Sequence, residues 1–342
     1  MASSIPTSCK AIVAPEVKAK LEIKDVPISP PKEGEILVKV EACGICHSDY
    51  GLVSGEFGPL SKKDLIPGHE VIGHVVAVGP GEKRWKEGDR VGGGWHGGHD
   101  GSCKSCNRGL FQTCQNAAVN GVTRDGGYSE YCTLRSEAGV RIPTDMDAAE
   151  VAPLLCAGVT VFNGIRQMKI VPGGVVAIQG LGGLGHLALQ YSRKMGYRTV
   201  ALSRDSSKKE FATKLGATDY IDGSQADTAQ ELQKLGGADL IVVTAPNAKV
   251  MSALVNGLAP LGKLLILAPA GDVSINSLPL VLGGRSVHGW PSGHALDSEE
   301  AIEFARVQGV KCMIEKFRMD QIQEAMDHMV QGKVRFRGVL VM

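Results

Sequence analysis

The chain has 342 residues, more than one ordinary domain needs, and reads as two domains. A formal net charge of +1 gives nothing that favours nucleic acid or an anionic membrane surface. With 43% hydrophobic and 21% charged residues, the balance is that of a soluble globular protein.

The first ten residues are polar and lack the apolar run of a secretory signal. The most apolar stretch, 258–270, is interrupted by Pro260, Lys263 and Pro269 and is too short to span a bilayer. A cytoplasmic location without a membrane partner is therefore expected. There the nine cysteines serve as thiols or metal ligands rather than as a disulfide framework.

Short strand-like runs bounded by Gly and Pro come first, at 36–40 and 71–78, and a turn at 87–91 leads into another strand. From Gly92 to Thr123 the chain is rich in Gly, Cys and His and has little periodicity. A loop that long needs a staple, and a metal supplies one. The pattern changes near Ala152. A buried-type strand at 175–179 precedes a helix at 184–195, with Leu187, Ala188, Tyr191 and Met195 on one side. Strands at 199–202, 240–243 and 264–267 alternate with helical segments such as 207–215. That alternation predicts an α/β fold with a doubly wound parallel sheet. A charged helical tail after Gly293 ends in a strand-like run at 338–341. The expected domains are a β-rich 1–152 with a metal lobe at 92–120, the doubly wound 153–293, and a tail, 294–342, returning to the first.

Gly180, Gly182, Gly183, Leu184 and Gly185 follow a strand and open a helix. Glycines there permit a tight turn, close backbone approach to a pyrophosphate and close helix–strand packing. The helix start adds unsatisfied N–H groups for the phosphates. At the end of the next strand an NAD site usually carries Asp or Glu for the ribose 2′-OH. Here Ser203, Arg204 and Lys208 stand instead, and all three can donate to a 2′-phosphate. NADP(H) is expected over NAD(H). Asp205 would restore an NAD reading if the strand ran further.

Asp100, Cys103, Cys106 and Cys114 have the spacing of a closed, knuckle-type zinc site. His96 and His99 are neighbours that could substitute for Asp100. Cys46, His69 and Cys156 are scattered over more than a hundred residues and say little by themselves. Their surroundings change that. The runs Gly44-Ile45-Cys46-His47-Ser48-Asp49, Gly68-His69-Glu70-Val71-Ile72-Gly73, Gly88-Asp89-Arg90-Val91 and Leu155-Cys156-Ala157-Gly158-Val159-Thr160 join the cysteine lobe and the glycine turn.

With those marks the chain, from about Lys10 to its end, resembles the zinc-dependent medium-chain alcohol dehydrogenases, including the cinnamyl and yeast-type members. The resemblance implies a GroES-like catalytic domain, a Rossmann cofactor domain and an active site in the cleft between them. It implies that Cys46, His69 and Cys156 hold a catalytic zinc, the second of two per chain, with a fourth position left for water or substrate. By the same resemblance Ser48 takes the alcohol proton, Asp49 fixes the tautomer of His69, and Glu70 sits behind the metal. His47 and Arg337 match phosphate contacts, Thr160 a residue near the nicotinamide, and Trp95 a pocket-lining aromatic. Two positions depart from the family pattern. Gly51 stands where many members carry a histidine at the end of the proton relay, and Asp100 replaces the usual first lobe cysteine.

The expected protein is an alcohol dehydrogenase, or aldehyde reductase in the reverse direction, acting with NADP(H) on a small primary or secondary alcohol. It is expected to form a homodimer or homotetramer. An NAD-preferring dehydrogenase of the same family is the nearest alternative, and a non-catalytic sensor that binds zinc and dinucleotide is a more distant one.

Overall fold

The computed structural model describes residues 5–342. The chain divides into two compact units. One takes the chain up to Cys156 together with Gly293–Arg306 and Cys312–Met342, and the other takes Ala157–Ser292 and Val307–Lys311.

The first unit is built on a seven-stranded sheet. Its longest strand, Glu35–Ile45, pairs with Val71–Val78, with Tyr131–Arg135 and with Arg337–Val341, all antiparallel. Two register shifts against Val71–Val78 bend that strand, and bulges of this kind re-aim the residues beyond them. The pairings set the site. Cys43 lies opposite Val71, so the chain leaving one strand at Cys46 and the chain entering the next at His69 and Glu70 emerge side by side. Gly338 lies opposite Ile45, which brings Arg337 to the same place from the far end of the sequence. Ile12, Ile36, Val38, Val71, Tyr128, Leu134 and Leu340 pack the core beneath.

A hairpin of Ser8–Val13 with Glu22–Pro27 was not anticipated from the sequence. Its first strand buries Ala11, Ile12 and Val13, whereas the second has no fully buried residue and packs on the core through half-buried Val26, so it carries little apolar signal.

The second unit holds six parallel strands in the order Asp219–Asp222, Arg198–Ser203, Val175–Gln179, Ala238–Val243, Leu258–Ile266, Ser286–Gly289. Numbered along the chain this is 3-2-1-4-5-6, the doubly wound arrangement the strand–helix alternation predicts. Ala177, Ile178, Val200, Ala201, Ile241 and Val242 are fully buried, because helices cover both faces of such a sheet. The helix expected over 207–215 is split into a 3₁₀ turn, Ser206–Lys208, and an α-helix, Lys209–Lys214. The Asp205 carboxylate caps that turn by accepting from Ser207 N–H at 2.9 Å. Among the described residues no single helix is long and apolar enough to cross a membrane.

Candidate active site and metal centres

Cys46 joins the end of the long strand, Ile45, to the helix His47–Ser54. Asp49, one turn into that helix, reaches back so that its Oδ2 accepts the Cys46 amide at 2.9 Å. Its Oδ1 faces His69 Nδ1 at 3.0 Å. Cys156 lies at the break between the 3₁₀ turn Ala152–Leu155 and the helix Ala157–Gln167. Its sulfur is 3.7 Å from that of Cys46. The ligand atoms of Cys46, His69, Glu70 and Cys156 all lie within 4.8 Å of one another.

This set fits a zinc ion. With Nδ1 engaged by Asp49, His69 presents Nε2, and that atom is buried with no partner. A buried nitrogen left unpaired beside two sulfurs is costly unless a ligand completes it. Electrostatics point the same way. The hydrogen bond from Cys156 holds the Cys46 thiol well below its ordinary range, with His69 assisting against burial. Cys156 is pushed up by Cys46 and by burial, so Cys46 gives up its proton first. Burial pulls His69 down, yet the Asp49 carboxylate outweighs it and raises the imidazole.

Glu70 is fully buried, and Arg337, 5% exposed, donates to its Oε1. Burial pushes the Glu70 carboxyl up to about 7, with Arg337 pulling it back. Oε2 of Glu70 and Nε of Arg337 have no partner. The structure therefore seats Arg337 against Glu70. Trp95 meets His69 edge to face, with ring centroids 4.9 Å apart, and so walls the site. Ser48 is half-buried at the second position of its helix, and His47 is exposed beside Tyr50. At Gly51 a side chain would come within 3.2 Å of the Phe57 ring, which covers the position.

Tyr128 is absent from the sequence-based set. It is fully buried, and its hydroxyl donates to Asp49 Oδ2 at 2.9 Å. The signal was faint: a tyrosine after Gly126 and Gly127, with no periodicity around it to show where it points.

The lobe gathers Asp100, Cys103, Cys106 and Cys114, again with ligand atoms within 4.8 Å of one another. Asp100 Oδ1 accepts the amides of Ser102 and Cys103 at 2.8 and 2.9 Å, and Oδ2 accepts Asn116 Nδ2 at 2.7 Å. These donors, the Cys103 amide foremost, hold the carboxyl well below its ordinary range. Oδ1 is filled by its two amides, whereas Oδ2, with one donor, keeps a lone pair for a cation. Cys114 sulfur accepts the amides of Asp100 and Asn116 at 3.4 and 3.3 Å. The Cys106 amide draws Cys103 down to about 7. Two sulfur-bound amides, an ionised carboxylate and an easily ionised thiol suit a divalent ion. His99 is turned away, stacked on Phe111 at 4.1 Å and bonded through Nδ1 to His96 at 3.1 Å.

In the second unit the turn after Val175–Gln179 has Gly180 at φ +91°, open to glycine and strained for other residues. A Cβ at Gly185 would fall 1.9 Å from Gly180 O, whereas one at exposed Gly182 would meet nothing within 4 Å. The turn is thus tight on one side and open on the other, as a phosphate cradle requires; Leu184 stands at the helix start, where no side chain caps the first amides. The neighbouring strand ends at Ser203, with Arg204 exposed beyond it. Lys208 Nζ donates to Leu181 O at 2.8 Å, on the cradle itself. Thr160 Oγ1 donates to Ser292 Oγ at 3.0 Å.

Comparison with known proteins agrees with both units. The Alcohol dehydrogenase GroES-like domain matches residues 32–144, and the Zinc-binding dehydrogenase family matches residues 183–333. Alcohol dehydrogenase patD of Penicillium expansum is 56% identical over 346 residues, covering 100% of both chains. Among solved structures, CAD from Helicobacter pylori, complexed with NADP(H), is similar with a TM-score of 0.88 and 25% identity, covering 99% of each chain. Acetophenone reductase from Geotrichum candidum, in complex with NAD, is similar with a TM-score of 0.86 and 25% identity, again covering 99% of each. A likeness that spans the whole of both sequences at better than half identity, on a fold with these ligand sets, permits one assignment: the chain belongs to the zinc-containing medium-chain alcohol dehydrogenase family.

Proposed function

We propose that this chain interconverts a primary or secondary alcohol and its aldehyde or ketone, using NADP(H). The observation that carries the reading is His69, buried with Nδ1 on Asp49 and Nε2 unpartnered beside the sulfurs of Cys46 and Cys156. A zinc ion held by those three residues would supply Lewis acidity at the substrate oxygen, and the nicotinamide would exchange the hydride. Asp49 keeps the histidine in one tautomer and orientation. Ser48, half-buried in the first turn of the next helix, accepts the alcohol proton and passes it outward. Trp95 bounds the pocket on the His69 side and excludes water there. In the lobe, a second zinc held by Asp100, Cys103, Cys106 and Cys114 would staple a segment that has little regular structure.

Two features support NADP(H). Ser203 ends the strand after the glycine turn, Arg204 is exposed next to it and Lys208 reaches Leu181 O on the turn, so all three can donate to a 2′-phosphate, while the adjoining Asp205 carboxylate caps Ser207. NAD(H) preference is the alternative. Nine free thiols fit a reducing compartment, the cytoplasm. A homo-oligomer is supported by Leu261, Leu278, Val281 and Leu282, exposed at 74%, 60%, 77% and 78% on the segments beside the outermost strand Ser286–Gly289. Light scattering on the purified protein reads the subunit count.

The decisive test is Cys46→Ser. It should remove one zinc and abolish alcohol-dependent nicotinamide reduction while circular dichroism stays unchanged. Full turnover in that variant would sink the assignment.

A further inference from the structure

Tyr128 belongs to neither ligand set, yet its hydroxyl is aimed at one of them. Asp49, 1% exposed, divides its oxygens between two duties. Oδ1 serves His69 Nδ1, and Oδ2 takes both the Cys46 amide and the Tyr128 phenol, each at 2.9 Å. A carboxylate this deeply buried needs donors wherever the histidine does not cover it. The helix start fixes the Cys46 amide. The phenol adds a second donor to Oδ2 and so strengthens the hold on the carboxylate against rotation about its Cβ–Cγ bond.

The backbone around Tyr128 suits this reach. Its amide donates to Pro67 O at 3.0 Å, and its carbonyl accepts Ile12 N–H at 2.7 Å. The ring lies against Gly68, whose φ is +98° and where a Cβ would fall 2.4 Å from Tyr128 Cδ1. Tyr128 therefore grips His69 twice, through the residue before it in the chain and through the carboxylate that holds its ring.

We propose that Tyr128 is a positioning residue for His69, acting through Asp49: its phenol locks the carboxylate in the orientation that keeps Nδ1 protonated and Nε2 facing the two sulfurs. This rests on the assignment of Cys46, His69 and Cys156 as a zinc site. A tyrosine that merely filled space would be replaced by phenylalanine without effect on the metal, since the ring would stay in place.

The test is zinc release to a chromogenic chelator, followed for the full-length zinc-loaded wild type, Tyr128→Phe, Asp49→Asn and the double variant. The release phase missing from Cys46→Ser belongs to this site. Tyr128→Phe should release that zinc roughly tenfold faster and leave the other phase unchanged. Its effect should shrink in the Asp49→Asn background, because the two residues act as one unit. Equal rates in wild type and Tyr128→Phe, or an undiminished effect beside Asp49→Asn, overturn the proposal. A wild type with no phase assignable to Cys46 overturns the site assignment with it, which separates that failure from failure of the tyrosine's role alone. If Tyr128→Phe does not fold, the wild type decides. The chain has six tyrosines, so with ¹³C at Cζ the Tyr128 resonance can be assigned by elimination using the other five Tyr→Phe variants. It should move between metal-free and zinc-loaded protein, and an unmoved resonance overturns the proposal.

Discussion

Arg337 donates to Glu70 across 267 positions of sequence, and neither side chain is more than 6% exposed. The pairing of Gly338 with Ile45 makes this contact, and Glu70 adjoins the ligand His69. A buried ion pair adds little net stability, but removing one partner strands the other charge. Arg337→Met should therefore cost up to roughly 3–5 kcal/mol at alkaline pH, and less near neutrality, where a Glu70 carboxyl raised to about 7 with Arg337 present takes up a proton without it; Glu70→Gln in the same chain should restore much of the alkaline loss. Denaturant unfolding of the two variants measures both. Equal stability of Arg337→Met and wild type would mean that Glu70 is already neutral without its partner.

Cofactor preference depends on Ser203, Arg204 and Lys208. Each charge-assisted hydrogen bond to a 2′-phosphate contributes about 1.5–3 kcal/mol, so losing one costs roughly 10–100-fold. Arg204→Asp should lower kcat/KM with NADPH by that factor and raise it with NADH, since the new carboxylate repels the phosphate and accepts from a free 2′-OH. Initial rates with both cofactors check this. A wild type already faster with NADH, and indifferent to Arg204→Asp, would favour the NAD alternative.

Asp100 gives the lobe one oxygen among three sulfurs, and its side chain also organises the loop through Ser102, Cys103 and Asn116. The two duties separate by substitution. Asp100→Asn keeps an acceptor for the amides but loses the charge, and should speed loss of the lobe zinc. Asp100→Cys makes a four-thiolate site and should slow that loss by roughly tenfold, because zinc favours soft sulfur. Chelator competition on both variants gives the order. Identical release from both would show that position 100 does not ligate.

The parts of this protein legible in its sequence are those set by local pattern. Val175–Gln179 reads as a strand because a doubly wound sheet buries both faces and leaves a continuous apolar run. Cys103, Cys106 and Cys114 read as a cluster because they fall within twelve residues, and the structure brings them together with Asp100. Cys46, His69 and Cys156 were legible only through the motifs around them; strand register, which no local pattern encodes, unites Cys46 with His69, and Cys156 joins them from the break before the helix Ala157–Gln167. The same limit hid Tyr128, which meets Asp49 across 79 positions. It hid the pairing of Arg337 with Glu70 as well, which the Gly338–Ile45 register makes. Asp205 shows a different limit. Its place in the chain allowed a role at the ribose, and only the geometry of the following turn shows its carboxylate held by Ser207.

His96 makes acid stability testable. It is 5% exposed, its Nδ1 has no partner, and its Nε2 is 3.1 Å from His99 Nδ1. Burial, aided by the nearby charges of His99, His294 and Arg135, pulls its imidazole from 6.5 down to about 3. Between those values the unfolded chain takes up a proton that the folded chain refuses. The contribution to stability is therefore complete above pH 6.5, falls as pH drops toward about 3, and changes no further below that. Between pH 6.5 and 5 the loss from this one residue is about 2 kcal/mol. His96→Phe keeps a ring to stack on His99 and cannot titrate, so its stability should fall less steeply over that window. Protonation of metal ligands adds a slope common to both proteins and cancels in the comparison. Denaturant midpoints at pH 7, 6 and 5 would show the wild type losing stability faster than the variant as pH falls. Parallel curves would mean that His96 already carries its proton in the folded chain, with the unpartnered Nδ1 as the atom that holds it.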